Sequence, residues 1–167
     1  MFSLKNKTAI VSGGSKGIGK AIAFKYAEAG ANVVICSRKN DNLDSAVSEA
    51  KSSGLDIVGI ECNTGDIKSI QHVVDYTIEK FRKIDILVNN AATNPYYGPI
   101  LNSEDSHWEK IWDINVKGYF NFIKACSSSM EQHQYGKIIN VSSVAAKTPL
   151  DGLGVYNISK AAVVMLT

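Results

Sequence analysis

Five short β-rich apolar runs, at residues 8–11, 32–36, 57–62, 84–88 and 138–142, alternate along this chain with stretches of helical periodicity. The second run, Asn-Val-Val-Ile-Cys, is apolar on both of its alternating faces. Such a strand has to be covered on both sides, as in a buried parallel sheet. Parallel neighbours need long crossovers, and helices supply them as right-handed βαβ units. The pattern predicts an α/β fold, a doubly wound parallel sheet, with helices over 18–29, 41–52, 66–81, 104–131 and 154–167. At 167 residues the chain fits a single domain, 1–167, with no linker, low-complexity segment or longer repeat.

Charge and cysteine usage narrow the possible partners. The net charge is only +2, with both signs interspersed and no basic block, which argues against nucleic acid or a membrane surface. No apolar run approaches membrane-spanning length, and the first residues carry no targeting signal. Cys36, Cys62 and Cys126 are far apart in sequence and form no Cys-x-x-Cys. They are expected as free thiols in a reducing, cytoplasmic compartment. His72, His107 and His133 share no ligand spacing, so no metal is expected.

Between the first strand and the first helix lies Ser12-Gly13-Gly14-Ser15-Lys16-Gly17-Ile18-Gly19, with the spacing G-x-x-x-G-x-G. Glycines permit a tight turn and let backbone approach a pyrophosphate, and a helix N-terminus offers free N–H groups to it. The same loop can also be a turn without a ligand. An ATPase loop is rejected: Gly19-Lys20 is followed by Ala21, so the hydroxyl that would hold Mg²⁺ is missing. After the second strand, Ser37-Arg38-Lys39 contains no acid to take a pair of ribose hydroxyls. Arg38, with Lys16 from the glycine loop, suits a 2′-phosphate instead, unless Arg38 and Lys39 are plain surface charges. NADP(H) is therefore preferred over NAD(H).

Near the C-terminal end, Tyr156 and Lys160 fall one turn apart on one face of the last helix, with Ser142 and Ser143 on the preceding strand end. Free tyrosine titrates near pH 10. An ammonium about 4 Å away would be worth roughly 4 kcal/mol at an effective dielectric of 20, or up to about three pKa units. Tyr156 could then serve as a general acid–base. Ser142 alternates to the other side of the strand end and is expected to be structural.

Taken in order, Ser12-Gly13-x-x-x-Gly17-Ile18-Gly19, Asn89-Asn90-Ala91-Ala92, Asn115, Ser142-Ser143, Tyr156 and Lys160 resemble the short-chain dehydrogenase/reductase family, from Lys7 to the last residue. The loop Asn94-Pro95-Tyr96-Tyr97-Gly98-Pro99 is similar to that of NADP-dependent carbonyl reductases and 3-oxoacyl-carrier-protein reductase-like members. The resemblance implies a Rossmann-like sheet of order 3-2-1-4-5, with the ligand crevice between strands one and four. It implies that Ser143 holds the substrate oxygen and that Tyr156 exchanges the proton. Lys160 would bind the nicotinamide ribose and lower the Tyr156 pKa, and Asn115 would hold a water behind it. Gly13, Ser15, Lys16, Gly17, Ile18, Gly19, Ser37 and Arg38 would bind the cofactor. Asn90 and Ala91 would lie beside its nicotinamide ribose, and Asn63 and Thr64 beside its adenine. Asn115 could instead back-bond within a kinked helix, and Tyr96 and Tyr97 could line the substrate pocket or pack on their own loop. The chain departs from the family pattern in Ser12 for Thr, Ala92 for Gly and Asn63 for Asp.

The expected function is an NADP(H)-dependent oxidoreductase interconverting a small carbonyl compound, a ketone or aldehyde, and its alcohol. The resemblance also implies a homodimer or homotetramer paired through the helices after strands four and five. The final residues carry no helix stop signal, so the chain is expected to end inside a helix, without the family's last strands. A truncated, non-catalytic dinucleotide-binding fragment is the alternative. The fifth strand would then be an exposed edge.

Overall fold

The computed structural model describes residues 3–167. Its elements run β1 (Thr8–Ser12), α1 (Gly17–Glu28), β2 (Asn32–Ser37), α2 (Asn40–Ser52), β3 (Ile57–Glu61), α3 (Ile67–Phe81) and β4 (Ile86–Asn89). Then follow α4 (Asp105–Trp112), a π-helical turn (Asp113–Lys117), α5 (Gly118–Gln132), β5 (Lys137–Asn140) and α6 (Gly154–Met165). The five strands are parallel and ordered β3-β2-β1-β4-β5, as expected.

Side-chain alternation sorts the strands onto two cores. On one face Ala9, Val11, Val33, Ile35 and Val88 pack with Ala23 of α1 and with Leu43, Ala46 and Ala50 of α2. On the other, Ile10, Val34, Cys36 and Leu87 pack with Ile70, Val73 and Val74 of α3 and with Phe122, Cys126 and Met130 of α5. Each fully buried branched side chain contributes about 1.5–3 kcal/mol, and β1, buried along its whole length, gains on both faces. Cys36, Cys62 and Cys126 are free thiols buried in the second core. The helix ends follow local chemistry: Asp66 caps α3 by accepting from Lys68 N–H at 3.0 Å, and Gly30 closes α1 with Ala31 N–H bonded to Tyr26 O.

Two expectations are corrected. The helical region 104–131 is not one α-helix, because the π turn inserts an extra residue at Asp113–Lys117. The turn carries Asn115 and seats Gly118 on the Thr64 carbonyl, where a Cβ would lie 2.5 Å from that oxygen. The fifth strand is shorter than 138–142. Val141 N–H still bonds Asn89 O at 2.8 Å, but the Val141 carbonyl is taken by Lys160 and Tyr119 instead of a neighbouring strand. β5 is an edge in this sheet, with Ile138 38% and Ile139 42% exposed.

At the amino ends of β1 and β4 the Asp85 side chain, 3% exposed, accepts Thr8 N–H at 2.9 Å. It also pairs with Lys83 at 3.1 Å and Lys7 at 3.4 Å. Asp85→Ala leaves that buried N–H without an acceptor. It should cost about 2–3 kcal/mol in urea denaturation; a loss below about 0.5 kcal/mol would show that the clamp is not needed.

Candidate active site

The crevice lies at the carboxyl ends of the strands, where sheet order reverses between β1 and β4. Ser12 builds it. Its hydroxyl donates to Val88 O (3.4 Å) and accepts Asn90 N–H (3.0 Å) and Ala91 N–H (3.1 Å). The Asn90 amide donates in return to Ser12 O (3.0 Å) and Gly13 O (3.2 Å). The glycine loop and the loop after β4 are thus fastened together. Gly13 sits at φ +66°, and a Cβ there would lie 2.8 Å from Asn90 Nδ2. A Cβ on Gly19 would strike the Gly13 carbonyl and sit 2.5 Å from the same nitrogen. Only glycine fits this approach.

A cavity of about 290 Å³ opens there, lined among others by Gly13, Ser15, Lys16, Ser37, Arg38, Thr64, Asn90 and Ala91. All eight were expected to bind a cofactor. Gly17 and Ile18 are exposed at the start of α1, whose first turn carries no acid, and Gly19 is buried beneath the loop. Asn63 is exposed outside the lining and turns its side-chain oxygen to Gly65 N–H (3.2 Å). Lys39, Asn42, Cys62, Ala92 and Ile114 also line the cavity. Of these, the sequence points to Ala92, in the motif after the fourth strand, and to Lys39, beside Arg38, but not to Asn42, Cys62 or Ile114. Asn42 could have been found from its place near Arg38 at the start of α2. Lys20 points away to Glu49 (2.8 Å), as the rejection of an ATPase loop requires.

Ser143 ends the segment after β5 and caps a 3₁₀ turn, Val144–Ala146, by accepting Ala145 N–H at 3.1 Å. That bond occupies a lone pair and leaves the O–H free to donate. Ser142 is structural, as expected, and donates to Lys160 O at 2.8 Å. Tyr156 is half-buried in the first turn of α6, and Lys160 lies one turn on. The two share a face, with the ammonium 5.8 Å from the Tyr156 ring centroid. No hydrogen bond joins the Lys160 ammonium to the Tyr156 hydroxyl. The Lys160 ammonium turns instead to Val141 O (2.8 Å) and the Tyr119 hydroxyl (3.3 Å), because a buried cation takes the nearest acceptors. Burial lowers the Lys160 pKa from 10.5 to about 8.

The Asn115 side chain does not back-bond within its helix. Its oxygen accepts Thr93 N–H (2.8 Å), and its nitrogen donates to Thr93 O (3.0 Å) and Ser159 Oγ (3.0 Å). It joins the loop after β4 to α6, the helix that carries Tyr156 and Lys160. Thr93, Ser159 and Tyr119 are supporting residues that no local pattern marks. Tyr96 packs on His107, with ring centroids 4.8 Å apart, and donates to Pro99 O. Tyr97 is 75% exposed and lies against Gly152, in the loop that leads to α6.

A family model for short chain dehydrogenases matches residues 7–167. The chain belongs to the short-chain dehydrogenase/reductase family. It is 43% identical over 164 residues to dehydrogenase/reductase SDR family member 4 of Oryctolagus cuniculus, a match covering 98% of this chain and 63% of that protein. It is 37% identical to short-chain dehydrogenase/reductase SDRA of Arabidopsis thaliana, covering 98% of this chain and 64% of that protein. Among solved structures, NAD+-bound xylitol dehydrogenase superposes with a TM-score of 0.93 at 28% identity, covering 98% of this chain and 63% of that one. A 7α-hydroxysteroid dehydrogenase complexed with NADH and 7-oxoglycochenodeoxycholic acid does so with a TM-score of 0.93 at 30% identity, covering 99% and 64%. The chain spans about three fifths of the length of these relatives. No described helix is long and apolar enough to cross a membrane.

The buried Lys160 carries a stability signature in this chain. With the folded pKa below the unfolded one, the unfolded chain holds more protons between about pH 8 and 10.5. The cost of burying this charge is therefore full below pH 8 and relieved as pH rises through that window. Lys160→Met should raise Tm at pH 7, with the advantage shrinking as the pH approaches 10.5. An advantage that does not change with pH in thermal scans would contradict the buried charge.

Proposed function

We propose that the chain carries the cofactor-binding and proton-transfer part of an NADP(H)-dependent oxidoreductase that interconverts a ketone or aldehyde and its alcohol. The observation that carries this reading is the single crevice in which Gly13, Ser15, Lys16, Arg38, Asn90 and Ala91 meet. The donor set fits a dinucleotide. Glycine backbone and the start of α1 offer N–H groups to a pyrophosphate, and no acid opposes them. Arg38 and Lys16 line the same cavity and suit a 2′-phosphate, with Lys39 beside them. The names of the relatives agree with a dehydrogenase or reductase. The NAD+ and NADH in the two structural neighbours support the same pocket for a nicotinamide dinucleotide.

When bound, the dinucleotide gives or takes the hydride. The chain's own residues handle the oxygen and its proton. Ser143, with its O–H unengaged, donates to the substrate oxygen as charge gathers on it. Tyr156 passes the proton to that oxygen in reduction and removes it in oxidation. Lys160 supplies the positive charge one turn away. Asn115 fixes α6 against the loop after β4, so the two halves of the site keep their spacing. Tyr97, exposed at the rim, is the better placed of the two loop tyrosines to meet a substrate. A homodimer or homotetramer, in a cytoplasmic setting, completes the proposal.

A non-catalytic dinucleotide-binding fragment is the second reading. It is favoured by the exposed apolar face of β5 and by the three-fifths coverage of the relatives. Calorimetry tests the cofactor preference, and turnover separates the two readings. Calorimetric titration should show NADPH binding more tightly than NADH. Arg38→Ala should weaken NADPH about tenfold, leaving NADH within about twofold; equal affinities in the native chain would remove the NADP preference. Tyr156→Phe should cut NADPH-dependent reduction of an aromatic ketone by at least about 100-fold while NADPH still binds. A native chain that binds NADPH and never turns over would favour the fragment.

A further inference from the structure

The Lys160 ammonium is 1% exposed and has no counter-ion among the described residues. The groups facing it are neutral: Tyr119 from α5, Val141 O from the end of β5, and Tyr156 on its own helix. Its two hydrogen bonds go to Val141 O at 2.8 Å and Tyr119 Oη at 3.3 Å. The Tyr119 hydroxyl in turn donates to the same carbonyl at 3.2 Å, and the ammonium lies 5.2 Å from the Tyr119 ring centroid. Three polar atoms close a triangle. The single O–H of Tyr119 is committed to Val141, so what the phenol offers Lys160 is a lone pair. A lone pair and a ring face both favour the charged, donating form of the amine.

Tyr119 is also held in place. It is 1% exposed, and its carbonyl accepts from Asn89 Nδ2 (3.3 Å), which also bonds Asn140 Oδ1 (2.9 Å). Tyr119 is therefore anchored at both ends, its backbone carbonyl to Asn89 at the end of β4 and its phenol to Val141 just after β5, whereas Lys160 sits on a long stem. We propose that Tyr119 is a positioning residue for Lys160, holding it in the charged form against Val141, so that a cation stands one turn from Tyr156 at neutral pH despite its burial. This rests on the proton-transfer reading above. Burial works in the opposite direction, lowering the lysine to about 8.

The test is a titration of the chain labelled with [13C]lysine, following the Lys160 Cε signal, identified by its loss in Lys160→Met. Tyr119→Phe keeps the ring and removes the oxygen. It should lower the Lys160 midpoint by about one pH unit, and Tyr156→Phe by less than about half of that. An unchanged midpoint in folded Tyr119→Phe overturns the proposal. If that variant does not fold, the native chain labelled with [13C]tyrosine still decides: the Tyr119 ring-carbon signal should inflect at the Lys160 midpoint, and a flat signal overturns the proposal. The titration needs no nucleotide. Failure of NADPH to bind in the calorimetry would strike the oxidoreductase reading and leave the midpoint shift standing.

Discussion

The pairing of β1 with β4 is fastened at both ends by single side chains, and the site depends on that fastening. At the amino end the Asp85 carboxylate takes Thr8 N–H inside the fold. At the carboxyl end the Ser12 hydroxyl takes two N–H groups from Asn90 and Ala91. Register alone aligns three residue pairs between these strands. The side-chain bonds extend that alignment past the sheet into the loops, where backbone polar groups would otherwise need water. Because sheet order reverses here, the two loops diverge above β1 and β4 and leave a crevice between them. The absent Cβ atoms at Gly13 and Gly19 let Asn90 come close enough to close its floor.

A second set of contacts ties α6, which carries Tyr156 and Lys160, to this floor. The side chain of Asn115, within the π turn, bonds Thr93 and Ser159 at once. Gly118 lets the same turn lie on Thr64, whose residue lines the crevice. One distortion of a helix thus joins the loop after β4, the loop after β3 and α6. The distortion persists because all the polar atoms of the Asn115 side chain find partners, which repays the lost helical regularity.

Lys160 runs against the general economy of the core. A buried ammonium without a counter-ion is destabilising, and the fold retains it against only a carbonyl and a phenol. Local conflict of this kind is characteristic of residues kept for chemistry rather than packing. It also explains why the ammonium rests on Val141, 5.8 Å from the Tyr156 ring centroid, rather than in direct contact with the Tyr156 hydroxyl. Tyr119 and Val141 supply the nearest oxygens, and without them the charge would be stranded.

Much of this was legible in the residues. Continuously apolar runs such as Asn-Val-Val-Ile-Cys can be satisfied only by a sheet covered on both sides, so the strands and the α/β class follow from hydrophobic burial alone. The glycine spacing, Arg38 and Asn90 mark the crevice because each acts through local backbone or charge, whereas Ser143 and the pair Tyr156 and Lys160 stand outside its lining, on the segment after β5 and on α6. The π turn, the shortened β5 and the partners of Lys160 were not legible. They depend on atoms far apart in sequence: Tyr119 and Val141 stand 41 and 19 residues from Lys160. Local periodicity carries no information about such pairs. Only when the sheet closes, α5 packs on β4 and α6 packs on α4 and the π turn does the chain determine which oxygen meets a buried lysine.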